Sequence, residues 1–125
     1  MAKKILIIDD DKIFVKILRD GLMAGGGGKY EVITAFDGEE GFVTAANERP
    51  DLIMLDMMMP KVTGIEFLKK LRSVEWGKDT PVIIETQLSD LGKMSEGVEL
   101  GVTGYIIKSD YSLDTILKQV EDVLK

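Results

Sequence analysis

The sequence predicts an α/β fold, a doubly wound sheet of five parallel strands in the order 2-1-3-4-5. Two observations carry this expectation. Short β-rich runs alternate with helical patterns along the 125 residues, with no linker or internal repeat between them. Three of the runs, I-L-I-I (Ile5 to Ile8), L-I-M-L (Leu52 to Leu55) and V-I-I (Val82 to Ile84), are apolar without alternation, as strands covered by helices on both faces are. Right-handed crossovers then give the 2-1-3-4-5 order, with a switch point between the first and third strands where ligands bind at the carboxyl ends.

The first strand is expected over Lys4 to Asp9. A helix follows from about Lys12 to Ala24, with Phe14, Ile17, Leu18 and Leu22 at helical spacing on one face. Gly25 to Gly28 are expected to stop it, since glycine loses the most backbone entropy in a helix. The second strand is Tyr30 to Ala35. Asp37-Gly38 opens a second helix, which carries Phe42, Ala45 and Ala46 and ends before Pro50. The third strand is Asp51 to Asp56; Pro60 breaks the chain after it, and Thr63 or Gly64 starts a third helix with Ile65, Leu68 and Leu71. The fourth strand is Pro81 to Thr86. Ser89 and Asp90 can cap a fourth helix bearing Leu91, Met94 and Val98, which Gly92 and Gly97 weaken by about 1 kcal/mol each. The fifth strand, Gly104 to Lys108, leads to Ser112 as the cap of a last helix with Leu113, Ile116, Leu117, Val120 and Leu124 in a stripe. This is a flavodoxin-like (βα)5 pattern, one domain over residues 1–125.

Composition narrows the function. The net charge is -6, from 22 acidic and 16 basic residues, which disfavours direct binding to nucleic acid. There is no cysteine, so neither a disulfide nor a thiolate metal site is available, and no histidine, the commonest general base. The N-terminus carries neither a signal peptide nor a membrane span, and a cytoplasmic location is expected.

The chemistry gathers at the switch point. Asp9 and Asp10 end the first strand and Asp56 the third, so three carboxylates converge there. Like charges this close need raised pKa values, a bound cation or both, and a hard divalent ion such as Mg²⁺ suits oxygen ligands. Thr86 and Lys108, at the ends of the fourth and fifth strands, add a hydroxyl and a cation. Together these parts suit phosphoryl transfer onto a carboxylate, where positioning and charge neutralisation do the catalysis. Asp56 is then the acceptor. Asp9 and Asp10 hold the metal, one directly and the other directly or through water, and the Met58 carbonyl supplies a further oxygen.

The segments I-L-I-I-D-D-D, D-L-I-M-L-D-M-M-M-P followed by G-I-E, P-V-I-I-E-T and G-Y-I-I-K, in that order at βα spacing, resemble those of a response-regulator receiver domain of two-component signalling. The resemblance covers the whole chain. It implies that Asp9 and Asp10 are the metal-binding acidic pair, Asp56 the phosphorylated residue, Thr86 the switch hydroxyl, Tyr105 the switch aromatic and Lys108 the family's lysine. It implies further a phosphohistidine donor on a histidine kinase or phosphotransfer protein, and a downstream target protein or output domain. The readout surface would be the fourth helix, fifth strand and last helix, through which a homodimer is also conceivable. An output domain following Lys125 is compatible with the same resemblance. Such a domain promotes its own phosphorylation and dephosphorylation and is not otherwise an enzyme.

Four positions depart from the family's pattern. Gln87 replaces a very small residue beside the phosphorylation site, and the apolar Met58 stands two residues after Asp56. Glu85 interrupts an apolar strand; alternation turns it away from Thr86, and it could face the rim near the fourth or last helix and pair with a lysine there, a role the sequence leaves open. Ser109 follows Lys108 where proline is common, so a trans bond is expected, a cis bond before a non-proline costing about 2.5–4 kcal/mol.

Rival functions are weaker. A flavodoxin-type carrier would present Asp9-Asp10-Asp11 to its flavin phosphate and repel it. A phosphohydrolase with an aspartyl nucleophile would want a second acid where Met58 stands. The glycine run before Lys29 follows a helix and opens a strand, the reverse of a phosphate-binding loop. The alternative that remains is a receiver-like binding module that no longer switches by phosphorylation.

Overall fold

The structure, a computed structural model, describes residues 2–87 and 99–125. Five strands, β1 (Lys3–Ile8), β2 (Tyr30–Ala35), β3 (Leu52–Asp56), β4 (Val82–Thr86) and β5 (Gly104–Ile107), form one sheet in the order β2-β1-β3-β4-β5. Every neighbouring pair is parallel, as the non-alternating apolar runs require. Helices α1 (Lys12–Gly26), α2 (Gly38–Glu48), α3 (Gly64–Arg72) and a C-terminal helix (Leu113–Val123) cover it. The helix expected over 89–98, with Leu91, Gly92, Met94, Gly97 and Val98, lies outside the described residues.

The sheet divides its side chains between two cores. On one face Ile5, Ile7, Met54, Ile83 and Ile106 pack with Phe14, Leu18 and Leu22 of α1 and with Ile116 and Val120 of the C-terminal helix. On the other, Leu6, Ile8, Ile53, Leu55 and Ile84 meet Ala45 of α2 and Phe67, Leu68 and Leu71 of α3. Each such burial stabilises by about 1.5–3 kcal/mol, which lets the sheet tolerate charged groups at its carboxyl ends. The helices start on side-chain caps: Asp11, Asp37, Thr63 with Glu66 in a capping box, and Ser112.

Two expectations are corrected. Helix α1 runs through Gly25 and Gly26 and ends at Gly27, whose φ of 57° closes it in the left-handed region. The last turn packs too closely for any larger residue: a Cβ on Gly25 would lie 2.5 Å from Leu117, and one on Gly26 2.6 Å from Tyr30. The buried face of α1 is also rotated, taking in Val15 and leaving Ile17 partly exposed.

Candidate functional site

The register lines up the functional carboxyls. Ile8 pairs with Leu55, Asp56 with Glu85, and Glu85 with Ile106. Successive residues alternate faces, so Asp56 and Glu85 continue the face of Met54 and Ile83, toward α1 and the C-terminal helix. Asp9 and Lys108, each just past its strand, join them there.

The Lys108 ammonium lies 2.7 Å from Asp9 Oδ2 and 3.4 Å from Asp56 Oδ1, and all three side chains are almost fully buried. It also sits 5.2 Å from the centre of the Phe14 ring, which meets Tyr111 edge-on. Asp9 Oδ1 accepts the Asp11 N–H at 2.9 Å, and Asp56 Oδ1 accepts the Met58 N–H at 3.4 Å. The exposed Asp10 completes a cluster in which one carboxylate oxygen each from Asp9, Asp10 and Asp56 lies within 4.8 Å of the others.

Electrostatics follow from too many acids around one cation. Burial, then the charge of Asp9, pushes Asp56 up to about 8 against the pull of Lys108. Burial, then Asp9, holds Glu85 well above the usual carboxylate range. Burial alone would lower Lys108, but its hydrogen bond to Asp9 and the surrounding negative charges outweigh this and raise it. The donor set fits a hard divalent cation: three convergent carboxylates, with Asp9 Oδ2 buried and lacking an aligned hydrogen-bond donor although Lys108 lies in ionic contact with it.

The expected site residues therefore separate into two groups. Asp9, Asp10, Asp56 and Lys108 are brought together, and Met58 joins them through its backbone N–H while its side chain is 44% exposed. Thr86 and Tyr105 lie on the opposite side of the sheet, since Ile84 pairs with Tyr105 and Thr86 with Ile107. Thr86 is buried and its hydroxyl donates to the Gln87 carbonyl at 3.2 Å, whereas Tyr105 is 51% exposed. The bond between Lys108 and Ser109 is trans, as expected.

Glu85 is a correction. It is not at the rim but fully buried, with Asp9, Lys108 and Asp56 as its charged surroundings. Phe14, beside Lys108, was not singled out as a site residue; on an apolar helix face its spacing is that of any core residue.

The family model described as the response regulator receiver domain matches residues 5–121. The chain belongs to that family. Among curated relatives, the receiver is 42% identical to the alkaline phosphatase synthesis transcriptional regulatory protein PhoP of Bacillus subtilis, over 86% of this chain and 43% of that protein. It is 33% identical to the response regulator MprA of Mycobacterium bovis, over all of this chain and 52% of that one. The chain thus spans about half the length of these relatives. Among solved structures, the chemotaxis response regulator CheY4 of Vibrio cholerae superposes with a TM-score of 0.87 at 34% identity, over 98% of this chain and 99% of that one. A response regulator from Chloroflexus aurantiacus superposes with a TM-score of 0.90 at 27% identity, over 99% and 98%.

Proposed function

We propose that this receiver accepts a phosphoryl group on Asp56 and passes the signal through a changed protein-binding face. The observation that carries the reading is the reach of Lys108 to both Asp9 and Asp56 inside the acidic cluster. An ionised Asp56 oxygen attacks the phosphorus of a phosphohistidine, the P–N bond breaks, and the histidine leaves with the bonding electron pair and takes up a proton. The chain has no histidine, so the donor is a partner, a histidine kinase or phosphotransfer protein. Lys108 neutralises charge on the transferred group. Asp9, Asp10, Asp56 and the Met58 carbonyl would hold Mg²⁺, which supplies further neutralisation of the phosphoryl oxygens when bound.

The new phosphoryl oxygens offer acceptors to Lys108 and to the Thr86 hydroxyl, once that hydroxyl gives up the Gln87 carbonyl. Thr86 and Tyr105 share one sheet face on adjacent strands, so a shift of the first is felt by the second. Tyr105 and the neighbouring C-terminal helix then form part of the face that a target, an output domain or a second copy of the chain would read. We take the domain to be a signalling module that assists its own phosphorylation and dephosphorylation, acting in the cytoplasm. No helix among the described residues is long and apolar enough to cross a membrane.

Intact mass after incubation with a small-molecule phosphodonor, with and without Mg²⁺, tests the reading. A gain of one phosphoryl group in the parent with Mg²⁺, and none in Asp56→Asn, is expected. No gain, with Mg²⁺ binding seen independently, would overturn it in favour of a binding module that does not switch by phosphorylation.

A further inference from the structure

Phe14 borders the site, yet the phosphoryl chemistry above assigns it nothing. It lies on the first turn of α1, only 6% exposed, with its ring centre 5.2 Å from the Lys108 ammonium. Its backbone N–H donates to Asp11 Oδ1 at 3.1 Å, and the Asp11 N–H donates in turn to Asp9 Oδ1 at 2.9 Å, which ties the start of α1 to the acidic cluster. The ring also meets that of Tyr111 at 84°, with 5.4 Å between centres. Tyr111 belongs to the loop that leads from Lys108 to the C-terminal helix. Helix and loop therefore fix the ring from two sides.

The ammonium has charged partners at unequal distances. Asp9 holds it at 2.7 Å, whereas Asp56 at 3.4 Å lies beyond the length of a charge-assisted hydrogen bond. Once Asp56 carries a phosphoryl group, the ammonium has to turn toward the new oxygens and loosen from Asp9. An aromatic face attracts a cation through its quadrupole, within about 6 Å of the ring centre and without needing an aligned N–H. A further carboxylate in that place would compete with the phosphoryl oxygens for the same N–H groups. An aliphatic side chain would offer the ammonium no attraction on that side. The ring can hold the ammonium in either position without directing it to one. Core packing alone does not call for an aromatic here, since the other large buried side chains of α1, Val15, Leu18 and Leu22, are aliphatic.

We infer that Phe14 is a positioning residue for phosphoryl transfer, its ring face keeping the Lys108 ammonium in the pocket while the ammonium moves from Asp9 toward the phosphoryl group on Asp56. The inference rests on the reading of Asp56 as the acceptor and of Lys108 as the charge that meets the phosphoryl oxygens. Both side chains are buried, which places the attraction toward the stronger end of its range.

The test replaces Phe14 with phenylalanine carrying one, three or five ring fluorines, which nearly keep its shape while weakening and finally reversing the quadrupole. Phosphorylation by a small-molecule phosphodonor at saturating Mg²⁺ is followed by intact mass, beside Phe14→Leu and Lys108→Met, with thermal unfolding as the fold control. The rate is expected to fall stepwise with fluorination, by about tenfold at five fluorines, and Phe14→Leu should be about as slow. The ε-CH₂ protons of Lys108 should resonate upfield in the ring current of Phe14 and stay upfield after phosphorylation. Folded fluorinated proteins that react at the parent's rate overturn the inference, and with Lys108→Met slow they leave the phosphoryl reading standing. Slowing in Phe14→Leu without slowing on fluorination assigns the ring to packing and overturns it as well. Loss of the upfield shift on phosphorylation also overturns it, because the ammonium would then have left the ring. A parent that gains no phosphoryl group removes the acceptor reading and the inference with it.

Discussion

Asp56→Asn is expected to stabilise the metal-free protein, increasingly so as pH rises. In the folded chain Asp56 is pushed up to about 8, against 3.8 when it is free in solution. Below about pH 4 both states keep the proton and the residue contributes nothing; between about pH 4 and pH 8 the unfolded chain ionises first, so folding loses stability; above about pH 8 the loss is complete. At about 1.36 kcal/mol per unit of separation the ceiling is about 5–6 kcal/mol. Lys108 already acts within the value of 8, but local relaxation and water entry on ionisation reduce the effect, and about 2–4 kcal/mol is the expected gain above pH 8. Asparagine has nearly the same shape and no proton to lose. Urea unfolding of both proteins in a chelator, at about pH 5 and about pH 9, should show a small gap at the lower pH and a gap wider by about 2 kcal/mol or more at the higher. An Asp56→Asn protein no more stable than the parent at the higher pH, or a gap that does not widen, would refute the crowding argument.

Gly64→Ala should disturb the acceptor itself, because a Cβ there would lie 2.5 Å from the Asp56 carbonyl oxygen and 2.8 Å from the Met57 Cα, both backbone. A loss of about 1–3 kcal/mol in urea unfolding is expected, with slower phosphorylation by intact mass. Arg72 donates to the carbonyls of Leu100, Gly77, Thr80 and Gly101 at 2.7–3.1 Å, tying the end of α3 to the two loops that precede β4 and β5. Arg72→Ala should cost about 2–4 kcal/mol by the same measurement, and Arg72→Lys should recover less than half, since an ammonium lacks the planar fork.

The strands and caps were legible because they depend on local pattern. I-L-I-I, L-I-M-L and V-I-I announce strands buried on both faces, and Asp37, Thr63 and Ser112 announce helix starts. The end of α1 was not, because a glycine's own pattern does not say whether it continues or stops a helix; Gly25 and Gly26 continue it and lie where a Cβ would run into Leu117 and Tyr30. In the site, the convergence of Asp9, Asp10, Asp56 and Lys108 follows from strand order alone. The depth of Glu85 does not. Alternation gives its face, but only the register, with Asp56 on one side and Ile106 on the other, encloses it within the sheet instead of at the rim. Phe14 escaped for the converse reason, since a residue flanking a lysine and a residue filling a core share one helical periodicity.

The crowding of acids bears directly on how the proposed acceptor would work. An aspartate attacks phosphorus only when ionised, yet in the metal-free pocket burial and Asp9 keep Asp56 protonated up to about pH 8. Lys108 cannot by itself reverse this, because its ammonium is shared with Asp9, its nearer partner. A divalent charge among Asp9, Asp10 and Asp56 would favour the ionised form of Asp56, with a proton released on binding. Dependence on Mg²⁺ would then arise twice, once in neutralising the incoming phosphoryl group and once in generating the nucleophile. The second contribution predicts its own signature: the Mg²⁺ concentration needed for phosphorylation should fall as pH rises toward 8, a trend that neutralisation of the phosphoryl group alone would not produce.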